Sequence, residues 1–206
     1  MRPRSNWLLV LWLFAALAQA QPSLDVVKRL REGGYVLYMR HASTDFSQND
    51  ASMSSFEDCA HQRNLTDKGR DEARAVGEQI KRLRIPVGEV LASPFCRTME
   101  TARLAFGKAQ AMPEVRGGPA RPEDPSRYDG LRTLLSSRVA KGEDRVIVSH
   151  GNPFHAVAGP PYLAEGEIAV VQPQGNGRFR VVARIRPEAW STLPAAGGPA
   201  SWVARR

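Results

Sequence analysis

The run Tyr35-Val-Leu-Tyr-Met39, followed at once by Arg40-His41, constrains the fold more than any other stretch of the chain. These apolar and aromatic residues lack the in-and-out alternation of a strand with one wet face. They are therefore expected to form a strand buried on both sides, which occurs where helices cover both faces of a sheet. Hydrophobicity then stops, and Arg40, His41, Ser43, Thr44 and Asp45 follow. In open α/β sheets ligands sit just past the carboxyl ends of the strands. A fixed cation beside a nucleophilic imidazole at that place points to phosphate chemistry.

The rest of the mature chain alternates helices and strands, which argues for an α/β layered domain. Ser23 is a cap for a short helix with Leu24, Val27 and Leu30 on one stripe, closed by Gly33-Gly34. Residues 45–62 are polar and irregular, and long loops of this kind are often functional. Thr66 caps a helix whose buried face is Ala73, Val76, Ile80 and Leu83, stopped by Pro86. Glu89–Ala92 reads as a second strand. Ser93-Pro94 reads as the N-cap and first position of the next helix, with Phe95, Met99, Ala102 and Phe106 inward. After a Pro- and Gly-rich loop at 108–125 come a helix over Tyr128–Val139 and a third strand, Arg145–Ser149, ending on His150. Ala169–Val171 and Phe179–Ile185 form two later strands around a Gly175-Asn-Gly177 turn.

The N-terminus is a separate object. Arg2 and Arg4 precede an apolar run from Trp7 to Ala18, and Ala18-Gln-Ala20 has the small residues of a cleavage site. Residues 1–20 therefore read as a secretory signal peptide, too short to span a membrane, with 21–190 as the domain and 191–206 as an irregular tail. Export predicts a secreted or periplasmic protein with no stable membrane insertion after cleavage. It also permits a Cys59–Cys96 bridge between the two cysteines of the chain. The 206 residues carry a net charge of +8, which suits anionic substrates. The basic residues are scattered rather than gathered with aromatics, which argues against nucleic acid.

Three strands thus deliver ionisable groups at their carboxyl ends: Arg40-His41, then Arg97 in the first turn of the following helix, then His150-Gly151. In a parallel sheet these would converge on one edge. Two arginine forks and a helix N-terminus would bind a phosphoryl group. The arginines would hold His41 neutral and nucleophilic, and His150 would hydrogen-bond the same oxygens.

The segments Leu37-Tyr-Met-Arg40-His41-Ala, Asn64-Leu-Thr-Asp-Lys-Gly69, Ser93-Pro-Phe-Cys-Arg97-Thr-Met-Glu-Thr-Ala102 and Val148-Ser-His150-Gly151 together resemble the histidine phosphatase superfamily, branch 1, the phosphoglycerate-mutase-like group. The resemblance spans about residues 35–155. It implies a three-layer sandwich with a mostly parallel central sheet flanked by helices, and phosphoryl transfer through a phosphohistidine without metal or other cofactor. Carried over by position, His41 is the nucleophile, and Arg40, Arg97 and His150 hold the phosphoryl group. Thr44 and Asn64 fall at positions that often line the pocket, although Thr44 could equally cap its loop and Asn64 could begin the turn before the helix. Two sites compete for the general acid. Glu100, one turn past Arg97, is either the acid or an ion-pair partner of Arg97 or Arg103. Glu123 and Asp124 are either donors or solvated loop charge. Asn152 stands where the second branch of the superfamily has an acidic residue, which argues against a phytase-like enzyme. His61 and His155 are expected to be structural or exposed, and no metal site is expected. The expected function is an exported phosphomonoesterase acting on a small-molecule or glycan phosphate ester. The alternatives are a non-catalytic phosphate or phospho-glycan binder and a phosphomutase. Oligomeric state is not readable from the sequence.

Overall fold

The computed structural model describes residues 24–118 and 126–195. The signal segment, Ser23, Glu123, Asp124 and residues 196–206 lie outside the described residues. The elements run α1 (Leu24–Glu32), β1 (Val36–Arg40), α2 (Asp67–Arg82), β2 (Val87–Ala92), α3 (Cys96–Phe106), β3 (Gln110–Ala111), α4 (Asp129–Ser136), β4 (Asp144–Ser149), α5 (Gly151–Ala158), β5 (Ile168–Gly175) and β6 (Arg178–Ile185). The strands form one sheet in the order β3-β2-β4-β1-β5-β6. Strands β1 to β4 are parallel, and β5 and β6 run antiparallel to their neighbours.

The reading of β1 as doubly buried holds. Leu37 and Met39 pack with Val76, Ile80 and Leu83 on one side of the sheet, and Val36 and Tyr38 pack with Leu131, Leu135 and Phe154 on the other. Each of the larger side chains contributes roughly 1.5–3 kcal/mol by leaving water. Burying Tyr38 strands a hydroxyl unless it is paired, and it donates to the His150 carbonyl at 2.7 Å. The core is thereby tied to the end of β4.

Local signals place the helices. Thr66 Oγ1 accepts the Gly69 N–H at 3.0 Å and caps α2. Gly77, buried within α2, leaves room for the Ala105 carbonyl of α3 against the helix backbone. The turn after β5 has positive φ at Gly175, Asn176 and Gly177, as its Gly-Asn-Gly sequence requires. Trp190, in a short turn at Pro187–Thr192, is fully buried against the α2 side of the core. Several boundaries differ from the sequence reading. β2 opens at Val87 rather than Glu89, β5 runs over Ile168–Gly175 rather than Ala169–Val171, and the segment read as a loop at 108–125 holds the short strand β3. Helix α3 starts at Cys96 with Phe95 at its N-cap, because Ser93 spends its hydroxyl on His150. Helix α4 ends at Ser136, short of Val139. Among the described residues no helix is long and apolar enough to cross a membrane.

Cys59 and Cys96 are bonded, fastening the long loop after β1 to the first turn of α3. Asp144 opens β4 fully buried. One carboxyl oxygen accepts the Tyr35 N–H at 2.9 Å and the other has no partner. Burial pushes this carboxyl up to about 7, the Tyr35 hydrogen bond opposing it only in part. A folded-state value above the unfolded one gives stability that is full at low pH and lost as pH rises through the folded value. Relative to the Asp144→Asn variant, the parent should therefore lose stability between about pH 4 and pH 7, by a few kcal/mol, with little change above that. Urea unfolding of both proteins across this range tests it; a pH-independent difference would refute the assignment.

Candidate active site

The carboxyl ends of β1, β4 and β2 lie side by side because these strands are parallel neighbours. At the end of β1, the His41 N–H donates to the Ser149 carbonyl of β4 at 2.9 Å, and the His41 carbonyl accepts the Gly166 N–H at 2.9 Å. The backbone carrying the imidazole is thus fixed on both sides. His41 Nδ1 lies 2.9 Å from the Ala42 carbonyl, which can only accept. Nδ1 therefore carries the proton, and Nε2 keeps its lone pair. The ring is buried, and its pKa is lowered to about 3. Burial is the leading cause, the Ala42 hydrogen bond opposes it, and Arg97, Arg40 and Arg63 add to the lowering. The sequence reading credited the arginines alone; loss of water matters more.

His150 meets His41 edge to face, with ring centroids 5.4 Å apart. Its Nε2 shares a hydrogen bond with Ser93 Oγ at 2.9 Å, and Phe95 packs edge-on at 5.1 Å. The Gly117 backbone closes the third side: a Cβ there would stand 2.8 Å from His150 Cδ2.

Arg97, buried in the first turn of α3, directs Nη1 and Nη2 at the two carboxylate oxygens of Asp50, at 2.9 and 3.0 Å, and lies over the Phe95 ring. Arg40 donates to the Leu163 carbonyl at 2.8 Å and to Glu165 Oε1 at 3.4 Å. Arg63 stacks under Phe46. Each of these three arginines has a buried Nε–H with no partner. Arg40, His41, Asp50, Arg63, Arg97 and His150 line one cavity of about 200 Å³, together with Gly151 and Asn152 of the first turn of α5. Open guanidinium donors and a helix N-terminus around a neutral imidazole form a receptor for a compact anion.

The structure therefore brings Arg40, His41, Arg97 and His150 together. Other residues singled out from the sequence go elsewhere. Thr44 is buried behind the cavity, its Oγ1 donating to Glu165 Oε1 at 2.7 Å. The Asn64 amide braces its own loop, donating to the Cys59 and Gln62 carbonyls, both at 2.8 Å. Glu100 pairs with Arg70 at 2.7 Å rather than with Arg97 or Arg103. Asn64 and Glu100 line a separate cleft of about 680 Å³ beside the disulfide, not the anion cavity. Glu123 lies outside the described residues. His61 pairs with Asp58 at the surface, and His155 is exposed beside the Tyr162 ring. Among the described residues no group of His, Cys, Asp or Glu is gathered as a metal site.

Five members of the arrangement escaped sequence reasoning: Asp50, Arg63, Ser93 in its role on His150, Gly117 and Glu165. Arg63 had a signal, since it directly precedes the Asn64 motif. Glu165 had none, lying in an irregular stretch more than 120 residues from the Thr44 it binds.

Residues 36–118 match the family model of the histidine phosphatase superfamily (branch 1). The resemblance read from the motifs is thereby shown over the first three of them; the fourth, at Val148–Gly151, lies beyond the matched residues. No curated protein matches the chain. Among solved structures, the protein histidine phosphatase SixA complexed with tungstate is 22% identical; the match covers 74% of this chain and 97% of that one, with a TM-score of 0.51. The putative phosphohistidine phosphatase SixA from Agrobacterium tumefaciens is 19% identical over 75% of this chain and 99% of its own, with a TM-score of 0.51. Mycobacterial hydrolase 1 is 15% identical over 73% of this chain and 97% of its own, with a TM-score of 0.53. At these identities the likeness is one of fold.

An unpartnered, buried guanidinium donor should be worth a charge-assisted hydrogen bond to a bound anion. Arg63→Ala is therefore expected to weaken tungstate binding roughly 10- to 100-fold. Isothermal titration of parent and variant measures it, and equal affinities would remove Arg63 from the receptor.

Proposed function

We propose that this protein is an exported phosphomonoesterase that hydrolyses a phosphate ester through a phosphohistidine on His41. The observation that supports this best is the free lone pair on Nε2 of His41, a residue that lines a cavity shared with three arginines whose Nε–H groups have no partner. A cavity built only to bind phosphate needs no neutral imidazole fixed in one tautomer at its base.

In this reading the phosphoryl group of the ester sits among Arg40, Arg63, Arg97 and the first turn of α5. His41 Nε2 attacks phosphorus in line with the departing ester oxygen, forming an N–P bond as the P–O bond breaks. The guanidinium groups hold the negative charge as it redistributes, and they cost no reorganisation because the protein has already placed them. The role of the Ala42 carbonyl is to keep the proton on Nδ1 and stabilise the positive ring that forms. His150, held by Ser93 Oγ, hydrogen-bonds the phosphoryl oxygens from the β4 side. Water then attacks the phosphohistidine and releases phosphate. The substrate is a small-molecule or glycan phosphate ester. Export is supported by the apolar N-terminal segment of the sequence and by the disulfide, since such bonds persist in oxidising compartments.

His41→Ala should lower turnover of p-nitrophenyl phosphate by at least ~10³-fold with an unchanged circular dichroism spectrum. Acid-labile label should be trapped on the parent in a rapid quench and be missing from the variant. Full activity in the variant would end this assignment. The depressed pKa adds an independent check: nitrogen NMR should show His41 neutral and protonated at Nδ1 from pH 8 down to about pH 5, where an ordinary histidine is mostly charged.

A further inference from the structure

The reaction above needs an acid to protonate the departing oxygen, and Glu100 is bound to Arg70 in the neighbouring cleft. Two other carboxylates among the described residues approach the cavity. Glu165 stands behind His41, its Oε1 3.9 Å from Nδ1. It receives the Thr44 hydroxyl and N–H as well as Arg40, and it does not line the cavity. It supports the nucleophile. Asp50 does line the cavity. Its two oxygens occupy the paired Nη donors of Arg97, the arrangement a phosphoryl group would use, and Oδ1 also accepts the Arg63 N–H at 2.9 Å. The loop that carries it is fixed near Arg97 by the Cys59–Cys96 bond and by the Cys96 N–H donating to Gln62 Oε1 at 2.9 Å.

We propose that Asp50 is the proton donor of the reaction, and that its carboxylate holds the fork of Arg97 until a phosphoryl group displaces it. This rests on the phosphatase reading above. Without ligand, burial pushes the Asp50 carboxyl up, but the Arg97 and Arg63 hydrogen bonds outweigh it and keep the group below the usual range, hence ionised. The other groups facing it are Arg40 and the neutral His41 and His150. An arriving phosphoryl group takes the Arg97 donors and sets its own negative charge beside Asp50. Losing a cation and gaining an anion both favour the protonated carboxyl, so substrate arms the acid. As the His41–phosphorus bond forms and the ester bond breaks, the departing oxygen keeps the bonding pair and takes the Asp50 proton. In the second step a water gives its proton to the Asp50 carboxylate while its oxygen bonds to phosphorus. The nitrogen–phosphorus pair returns to His41. Asp50 takes up one proton from solvent as the phosphoryl group binds and is protonated again after the second step. It returns that proton to solvent when phosphate leaves and Arg97 comes back to it, so the net change is ester plus water to alcohol plus phosphate.

The test is dependence on the leaving group. Asp50→Asn keeps the shape and an acceptor for Arg63 N–H but carries no transferable proton. Its kcat should fall about 100-fold or more on phenyl phosphate, whose leaving group needs protonation, and less than about threefold on 2,4-dinitrophenyl phosphate, whose leaving group does not. Tungstate should bind the variant at least as tightly as the parent, because the competing carboxylate is gone. Asp50→Ser is the second variant and should give the same split. Equal losses on both esters, no loss on either, or the same split produced by Glu123→Gln but not by Asp50→Asn would overturn the proposal. His41→Ala is run alongside: if it turns over dinitrophenyl phosphate at the parent rate, the phosphohistidine reading fails by itself, whatever Asp50 does.

Discussion

Three guanidinium groups crowd one buried imidazole, and the surrounding structure is arranged to hold them there against their mutual repulsion. Like charges in a partly buried site, at an effective dielectric of ~20, repel by roughly a few kcal/mol per close pair. Two carboxylates offset this from opposite sides of the sequence. Asp50 takes both Nη groups of Arg97, and Glu165 takes Arg40. The compensation is incomplete by construction, since Nε of Arg40, Arg63 and Arg97 stays unpaired. A site that neutralised itself fully would have nothing left to offer a ligand.

Backbone placement makes this concentration of charge affordable. β1 stands between β4 and β5, buried on both faces, so its carboxyl end cannot shift without opening the core. His41 and Ser93 each donate a backbone N–H into β4, to Ser149 and Val148. Gly69 lets the start of α2 press against the Ser43 backbone, and Gly117 lets its loop press against the His150 ring. The side chains of the cavity are thus aimed by elements that are rigid for reasons unrelated to phosphate.

How much of this was legible follows from which parts are governed by local rules. β1, the Thr66 cap, the Gly-Asn-Gly turn and the convergence of Arg40, His41, Arg97 and His150 all follow from periodicity, capping and strand ends. Asp50 and Arg63 come from an irregular loop, and Glu165 from another, where no period marks one residue above its neighbours. Glu100 was misplaced for a geometric reason. Three residues past Arg97 on a helix is about 60° around the axis, enough to turn it from the cavity to Arg70 on α2. The depressed pKa of His41 was anticipated, but its main cause was not, because a strand end gives no sign of how deeply the ring will sink.

The disulfide belongs to the same electrostatic problem. Residues 45–62 contain one short 3₁₀ turn, Cys59–His61, and fixing each backbone residue costs roughly 1–2 kcal/mol. Few of the loop's side chains are buried, so apolar contacts offset little of that cost. Closing a loop with a sequence separation of 37 contributes about 4 kcal/mol on the chain-entropy model. The bond is made to Cys96, directly before Arg97, so the covalent tie and the Asp50–Arg97 fork hold the same two segments together. His41, Arg40 and His150 sit on strand ends and do not depend on that tie. The cavity is therefore of two kinds: a half built into the sheet, and a half in which a covalent bond holds two carboxylate oxygens against the fork that a phosphoryl group would use.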